Sequence, residues 1–430
     1  MKFMKNPKIK NVLLFLSVLG PGLITSSADN DAGGIATYAS VGAAYGYKLL
    51  WGLILITISL AIVQEMCSRM GVVTGKGLSD LIREHFGVKM TLFAMVTLLI
   101  ANVTTTIADF AGIAASSELI GTFTSFGLPE GFPIKYIIVP VMAVLLWLLV
   151  IKGSYKIVEK AFLVITLVFV AYVVSGIAAK PDWGMVVQNT FIPTFEWRDS
   201  KFILLFIATI GTTITPWMQF FLQSSVVDKG IDIKKYKYVR TEVLFGAFVT
   251  DFVSFFIIVS TAAAIYYQVG PRDIQTASDA AAALRPLAGN YASILFAVGL
   301  FGASVLAASV LPLSTSYAIC EAFGWESGID KKWSEAKIFY GLYTALIIIG
   351  TVVVLLPDIN LIKIMLISQE VNGILIPVIL IYILKLINNK ELMGEYVNTR
   401  TFNIIAWTTV IFIIALTVLL LVLTIGSIFT

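Results

Sequence analysis

The sequence predicts an all-α polytopic membrane protein, on three observations. Hydrophobic residues fill 58% of its 430 positions and charged residues only 13%, where a soluble domain carries about 25% charged residues. Mean hydropathy is +0.92. Apolar runs of roughly 18 or more residues recur along the whole length, each long enough to cross a hydrocarbon core of about 30 Å as a helix.

Eleven spans follow in order. The first, 11–45, is apolar from Val12 to Ala44 but contains Pro21 and is interrupted by Ser27-Ala28-Asp29-Asn30-Asp31-Ala32-Gly33-Gly34. The second covers 49–71, and the third, 90–121, carries Asp109. The fourth and fifth are 133–151 and 157–179. The sixth, 201–227, is interrupted at Gly211-Thr212-Thr213-Ile214-Thr215-Pro216-Trp217. The seventh, 240–268, carries Asp251; the eighth and ninth are 290–320 and 335–356. The tenth, 360–387, contains Ser368-Gln369-Glu370, and the eleventh is 402–429. The longest non-helical pieces expected are the outer loops near 180–200 and 270–289. No linker divides the chain, so 1–430 reads as one transmembrane domain.

Basic residues orient it. With the N-terminus inside, only Lys48, Lys135, Lys180, Arg198, Lys201, Arg272, Arg285 and Lys363 fall on the outer side, out of 30 Lys and Arg. The excess of cytoplasmic positive charge supports an inner N-terminus and, with an odd number of spans, an outer C-terminus. Lys2, Lys5, Lys8 and Lys10 precede a first span with no small-residue cleavage site, which reads as a retained helix. These scattered basic loops imply a lipid bilayer as the surroundings and no nucleic-acid partner. No protein partner is implied either.

Cys67 and Cys320 have no metal or redox spacing and read as unpaired packing residues. The one histidine, His85, sits in the basic inner stretch from Gly71 to Lys89 and reads as solvated. Trp51, Trp147 and Trp407 read as span-edge or packing residues. No nucleophile–base pair, histidine cluster or nucleotide loop is present, which excludes an enzyme.

Two interrupted helices five spans apart are what two five-helix repeats of opposite orientation produce, here about 11–179 and 201–387 with an extra helix at 402–429. In transporters built that way the broken helices meet near the midplane and form the substrate site. A break in lipid leaves amides and carbonyls unpaired and is tolerated only inside protein or beside an aqueous cavity. A cation satisfies freed carbonyls. Asp31 is the leading candidate ligand, because an intramembrane carboxylate is costly and rare; Asp29, two residues away, is a second candidate. Gly33 and Gly34 supply backbone freedom at the break. Pro216 frees a carbonyl one turn back near Thr212, and Thr215 offers a hydroxyl oxygen. Gln369 adds an amide oxygen or an interhelical hydrogen bond. Asp109 and Asp251 either line a path or pair with neighbouring helices. The donors are all oxygen, which suits hard ions such as Mg²⁺, Ca²⁺ or Mn²⁺, and Mg²⁺ typically uses only one or two carboxylates. No resident cofactor is implied; the ion is cargo.

Several motifs carry a resemblance. Gly20-Pro21-Gly22, the broken first span, Gly46-Tyr47-Lys48-Leu49-Leu50-Trp51, Gly71-Val72-Val73-Thr74-Gly75-Lys76 and Lys390-Glu391-Leu392-Met393-Gly394-Glu395-Tyr396-Val397-Asn398 resemble the NRAMP family of divalent-metal transporters. The resemblance implies the LeuT-like fold of two inverted five-helix repeats. Classical members read Asp-Pro-Gly-Asn at the first break, where this chain reads Asp31-Ala32-Gly33-Gly34. They read Met-Pro-His at the sixth, where this chain reads Thr215-Pro216-Trp217. The third-span Asp and Glu become Asp109 and Gly112, and the ninth span offers only Lys337 in place of arginines. The pattern looks like the NRAMP-related magnesium transporter branch. By resemblance, Asp31 is an ion ligand, Ala28 and Thr212 contribute carbonyls, Thr215 takes the methionine position, Gln369 is a tenth-span ligand, and Gly34 and Trp217 line the cavity. With the histidine, glutamate and arginines absent, the expectation is Mg²⁺ uptake driven by membrane potential without proton coupling. The alternatives are a proton-coupled Mn²⁺ or Fe²⁺ transporter using Asp109 or Asp251, and an amino-acid transporter of the same fold, in which Asp29 and Asp31 would repel the substrate carboxylate.

Overall fold

The computed structural model describes residues 28–122, 132–152, 170–285, 289–329 and 331–429, and among these it is helical with no strand. Numbering helices of nine or more residues, α1 is Ala32–Tyr45, α2 Leu50–Thr74, α3 Leu78–Gly121, α4 Lys135–Lys152, α5 Val170–Ala178 and α6 Trp183–Phe191. Then come α7 Ser200–Thr213, α8 Pro216–Asp228, α9 Tyr236–Thr261, α10 Ala292–Phe323, α11 Lys337–Leu355, α12 Leu361–Ile387 and α13 Arg400–Phe429. Nine stretches of the described residues are long and apolar enough to span a membrane. The first half of the first span and residues 157–169 of the fifth lie outside the described residues.

Burial sorts these helices into a centre and a shell. Along Ser200–Asp228, which holds α7 and α8, 94% of the apolar window is buried, whereas along α4 and α13 only 28% is. A helix apolar all round is either packed on every side or faces lipid; the broken span is the first kind and α13 the second. Around the centre, α3 packs along α10 and α12, α7 lies on α12, and α9 packs on α1 and α2.

Glycine sets the closest crossing. A Cβ at Gly211 of α7 would stand 2.0 Å from the Gln369 carbonyl, and one at Gly373 of α12 would stand 2.3 Å from the Ile207 carbonyl. The two backbones touch because neither helix carries a side chain there, the arrangement small residues permit between membrane helices.

Three expectations need correction. The outer loop near 180–200 contains α6, started by Asp182, whose carboxylate accepts from the Met185 amide. Its Trp183, Met185, Val187 and Phe191 are exposed, as on a helix lying along a membrane surface. The loop near 270–289 holds a short helix, Ala277–Ala281, closed by a capping box between Thr276 and Asp279. The stretch Gly71–Lys89, read as an inner loop, is helical at Gly71–Thr74, where α2 ends, and again from Leu78, with a turn at Gly87, whose φ of 73° favours glycine. His85 there is exposed, as read. Cys67 and Cys320 are free and buried. Trp51 and Trp147 donate their indole N–H to the Thr194 carbonyl and the Thr344 hydroxyl.

Candidate cation site where two broken helices cross

The first break is short. Ala28 and Asp29 are helical, Asn30 bends, and Asp31 is extended as the N-cap of α1. Its carboxylate Oδ1 accepts from the Gly34 amide at 2.6 Å, a charge-assisted bond at a helix N-terminus. Asp31 is thereby fixed in orientation while its other oxygen, Oδ2, faces α12.

The second break sits opposite. α7 ends at Thr213, Ile214 leaves helical geometry, and Thr215 is extended before Pro216 opens α8, a position proline favours because its missing N–H is not needed. The hydroxyls of Thr212 and Thr215 are buried and have no hydrogen-bond partner. A Cβ at Gly34 would lie 2.9 Å from Thr212 Oγ1, 3.2 Å from the Asp29 carbonyl and 3.3 Å from Asp31 Oδ1. Position 34 therefore marks a point ringed by a carboxylate, a carbonyl and a hydroxyl, and a side chain there would displace Thr212. Trp217 is 1% exposed, its ring tilted against that of Phe221 at 5.9 Å between centroids. Ala28 is buried in the turn before Asp29.

α12 closes the site. Gln369 Nε2 lies 3.4 and 3.3 Å from Asp31 Oδ1 and Oδ2. Its Oε1 accepts from Asn372 at 3.0 Å, and Asn372 also donates to Thr105 at 2.9 Å. An amide nitrogen facing a carboxylate occupies the place of a cation. Oxygens on adjacent corners of a Mg²⁺ octahedron are about 2.9 Å apart, so Asp31 and Gln369 can serve as neighbouring ligands once the Gln369 amide turns over. Asn372 Oδ1 has no partner at present; turning both amides lets the Gln369 nitrogen donate to it.

Asp109 and Asp251 stand on opposite sides. Asp109 of α3 is 0% exposed, with neither oxygen hydrogen-bonded, and lies beside the Ala32 amide and the Asp31 carboxylate. One turn on, a Cβ at Gly112 would stand 2.4 Å from Ala32 Cβ and 2.2 Å from Ser304 Oγ. The backbone of α3 is pressed against the start of α1 there, and a glutamate cannot be seated. Asp29 turns its side chain away from Asp31 toward α9, where Thr250 donates to its Oδ2 at 3.4 Å; only its carbonyl faces the site at Gly34. Asp251 of α9 is its neighbour on that side.

Sequence reasoning missed Asn372, Thr105, Asn30, Thr250, Ser254 and Tyr38. Asn372 was accessible, since it falls one turn after Gln369 on the same face. Tyr38, whose hydroxyl pairs with that of Thr213 at 2.8 Å, had no signal, because one tyrosine in an apolar helix looks like packing.

The chain as a whole resembles proteins already known. A curated relative, the divalent metal cation transporter MntH of Yersinia pestis (strain Pestoides F), is 26% identical over 411 residues, covering 95% of each chain. The protein of the same name from Bacillus subtilis (strain 168) is 25% identical over 425 residues, 96% of this chain and 94% of its own. Both are transporters by name, in agreement with the sequence's exclusion of an enzyme. Among solved structures, the Eremococcus coleocola manganese transporter superposes with a TM-score of 0.74 at 20% identity, covering 97% of this chain and 87% of its own. MhsT in complex with L-phenylalanine superposes at 0.56 and 14% identity, covering 95% and 98%. These likenesses establish the LeuT-like helical fold. The family model described as Natural resistance-associated macrophage protein-like matches residues 22–423, and the chain belongs to that family.

Proposed function

We propose that this protein imports a hard divalent cation across the cell membrane, Mg²⁺ ahead of Mn²⁺, driven by membrane potential and not by protons. The relatives named for divalent metal cations and for manganese support the cargo class. The observation that carries the preference is the donor set: the Asp31 carboxylate, the Asp29 carbonyl, the Thr212 and Thr215 hydroxyls and the Gln369 amide, with oxygen where a thioether would select a softer ion. Asp31 is the charged ligand and its bond to Gly34 holds it in place. Thr212 and Thr215 lack partners that an ion, or water on an ion, would supply. Mg²⁺ dehydrates reluctantly, so a set with one pointed carboxylate and neutral oxygens fits an ion that keeps part of its water. The absence of histidine at Trp217 and of glutamate at Gly112 supports uncoupled transport. The N-terminus lies in the cytoplasm and the C-terminus outside.

A second reading, a proton-coupled Mn²⁺ or Fe²⁺ transporter, is favoured by one observation, the buried carboxylates Asp109 and Asp251 beside the site. Uptake into proteoliposomes under inside-negative potential, with an internal pH dye, separates the two. The expected outcome is Mg²⁺ uptake without acidification, abolished in Asp31→Ala. Metal-driven acidification, or Mn²⁺ uptake without Mg²⁺ uptake, overturns it.

A further inference from the structure

The last helix, α13, lies outside both five-helix repeats, and the ion site makes no use of it. It packs on α12, α7 and α2. α2 presses on α7 at Gly52, where a Cβ would stand 2.6 Å from the Phe206 ring. α13 is joined to α2 by the Ser59 and Thr409 hydroxyls at 2.7 Å, and its Phe412 meets Phe206 of α7 edge-on at 5.7 Å between centroids. Among these contacts lies a groove of about 380 Å³, walled by α2, α7 and α13.

The lining decides what can fill it. Its side chains are apolar but for three hydroxyls and the Trp51 indole. The hydroxyls of Ser59 and Thr409 are spent on each other and on the Leu55 and Ile405 carbonyls, and the Trp51 N–H is held by the Thr194 carbonyl. The volume would take roughly a dozen waters, but a buried water needs two or more polar partners, which this lining does not offer. At the mouth, Leu55 is 52% exposed and Ile404 66%. Both stand on helices long and apolar enough to span the membrane, so hydrocarbon and not water lies in front of them. The floor leads inward. Phe206, Ile210 and Ile214 line it from α7, and every residue from 205 to 220 is buried. Ile214 is the non-helical residue between Thr213 and Thr215 at the second break. The groove thus reaches from the lipid face to the break itself.

We propose that this groove seats one acyl chain of a bilayer phospholipid, whose end packs against Ile214 and fills the space behind the second break. Left empty, the groove forfeits the contacts of its lining; filled with water, it leaves that water unpaired. A hydrocarbon chain entering from the bilayer meets both demands. The seat gives α13 a task, as the wall that holds the chain against α7. It stands whichever cation the protein carries and however transport is driven.

The test maps where lipid chains touch the protein. The full chain in proteoliposomes is photolabelled with phosphatidylcholine carrying a diazirine near the end of one acyl chain, and adducts are located by peptide mass spectrometry. Surrounding lipid labels the exposed faces of α4 and α13 in any case. Adducts within residues 205–214 are expected as well, because a chain reaches that buried stretch only through the groove. A diazirine placed beside the headgroup is expected to leave 205–214 unlabelled. Leu55→Trp and Thr408→Trp put bulk into the groove, and each is expected to lower the 205–214 label about tenfold, the scale of roughly 1.4 kcal/mol of lost binding. The label on α4 should stay. No label on 205–214 in the wild type overturns the seat, whether water or a second copy of the chain fills the groove. Label there from the headgroup probe, or label that neither folded variant lowers, overturns it too. A variant that fails to fold leaves the wild-type adducts from the two probes as the deciding result.

Discussion

Gln369 reaches Asp31 because position 33 carries no side chain: a Cβ there would stand 1.9 Å from Gln369 Nε2. Gly33→Ala must push the amide away from the carboxylate. Initial uptake is expected to fall about tenfold or more, the scale of losing roughly 1.4 kcal/mol of ion binding. Gln369→Ala should cost a similar factor, and the double variant no more than either alone, since both remove one contact. Rates in proteoliposomes check this; additive losses would show that Gly33 acts elsewhere. Thr215, whose buried hydroxyl has no hydrogen-bond partner, is the position proposed to set selectivity. Thr215→Met replaces a hydroxyl with a thioether beside the cargo, and a softer donor favours Mn²⁺ over Mg²⁺. Competition uptake is expected to shift toward Mn²⁺ by about tenfold, again roughly 1.4 kcal/mol. An unchanged ratio would mean that Thr215 does not touch the ion.

At the scale of elements, the crossing of α7 and α12 is held by Gly211 and Gly373. Gly211→Ala drives a methyl into the Gln369 carbonyl at 2.0 Å, and overpacking of this kind costs about 1–3 kcal/mol. A lower melting temperature in detergent is expected, together with loss of uptake, because the same backbone carries Gln369, the proposed ligand beside Asp31. The broken helices were legible in the sequence, since aspartates beside paired glycines and a threonine–proline step have no place in a plain span. The spans of α2 to α4 and α9 to α13 were legible from apolar length alone. What stayed hidden were contacts between elements remote in sequence. Asn30 meeting Thr250 and Ser254, and Asn372 meeting Thr105, depend on how α9 and α3 rotate, which no local pattern records. Asp29 reads from sequence either as a second ligand or as a carboxylate pointing elsewhere, and its side chain accepts from Thr250 of α9. The helix α6 escaped because nine residues on a surface give too short an apolar pattern to stand out from a loop.

Across the whole molecule, the two ends differ in how they are fastened. At one end Arg69 of α2 donates to the Tyr396 and Val397 carbonyls at 3.0 and 3.3 Å and to the Asn398 side chain, and pairs with Glu65 at 3.1 Å. Tyr236, the first residue of α9, donates to the same Glu65. The end of the segment 390–398 is thus tied by one guanidinium to α2, which gives a physical reason for that motif. Lysine cannot reproduce the fork, so Arg69→Lys is expected to lower stability by on the order of 2 kcal/mol, read as an earlier thermal transition. The opposite end carries exposed pairs, Lys48 with Glu196 and Lys201 with Asp273, which contribute little individually. On the uncoupled reading proposed above, membrane potential is the force that concentrates the ion. A potential of 100 mV contributes about 2.3 kcal/mol per charge, or roughly 4.6 kcal/mol for a divalent ion, which corresponds to an accumulation ratio above a thousandfold. If transport is uncoupled, the limiting Mg²⁺ gradient in proteoliposomes is expected to follow the imposed potassium diffusion potential, rising about tenfold for each 30 mV. The same gradient should be unmoved by an imposed pH difference of one unit at fixed potential, whereas each coupled proton would shift it by about 1.4 kcal/mol. A measured pH shift of that size would return Asp109 and Asp251 to a proton path.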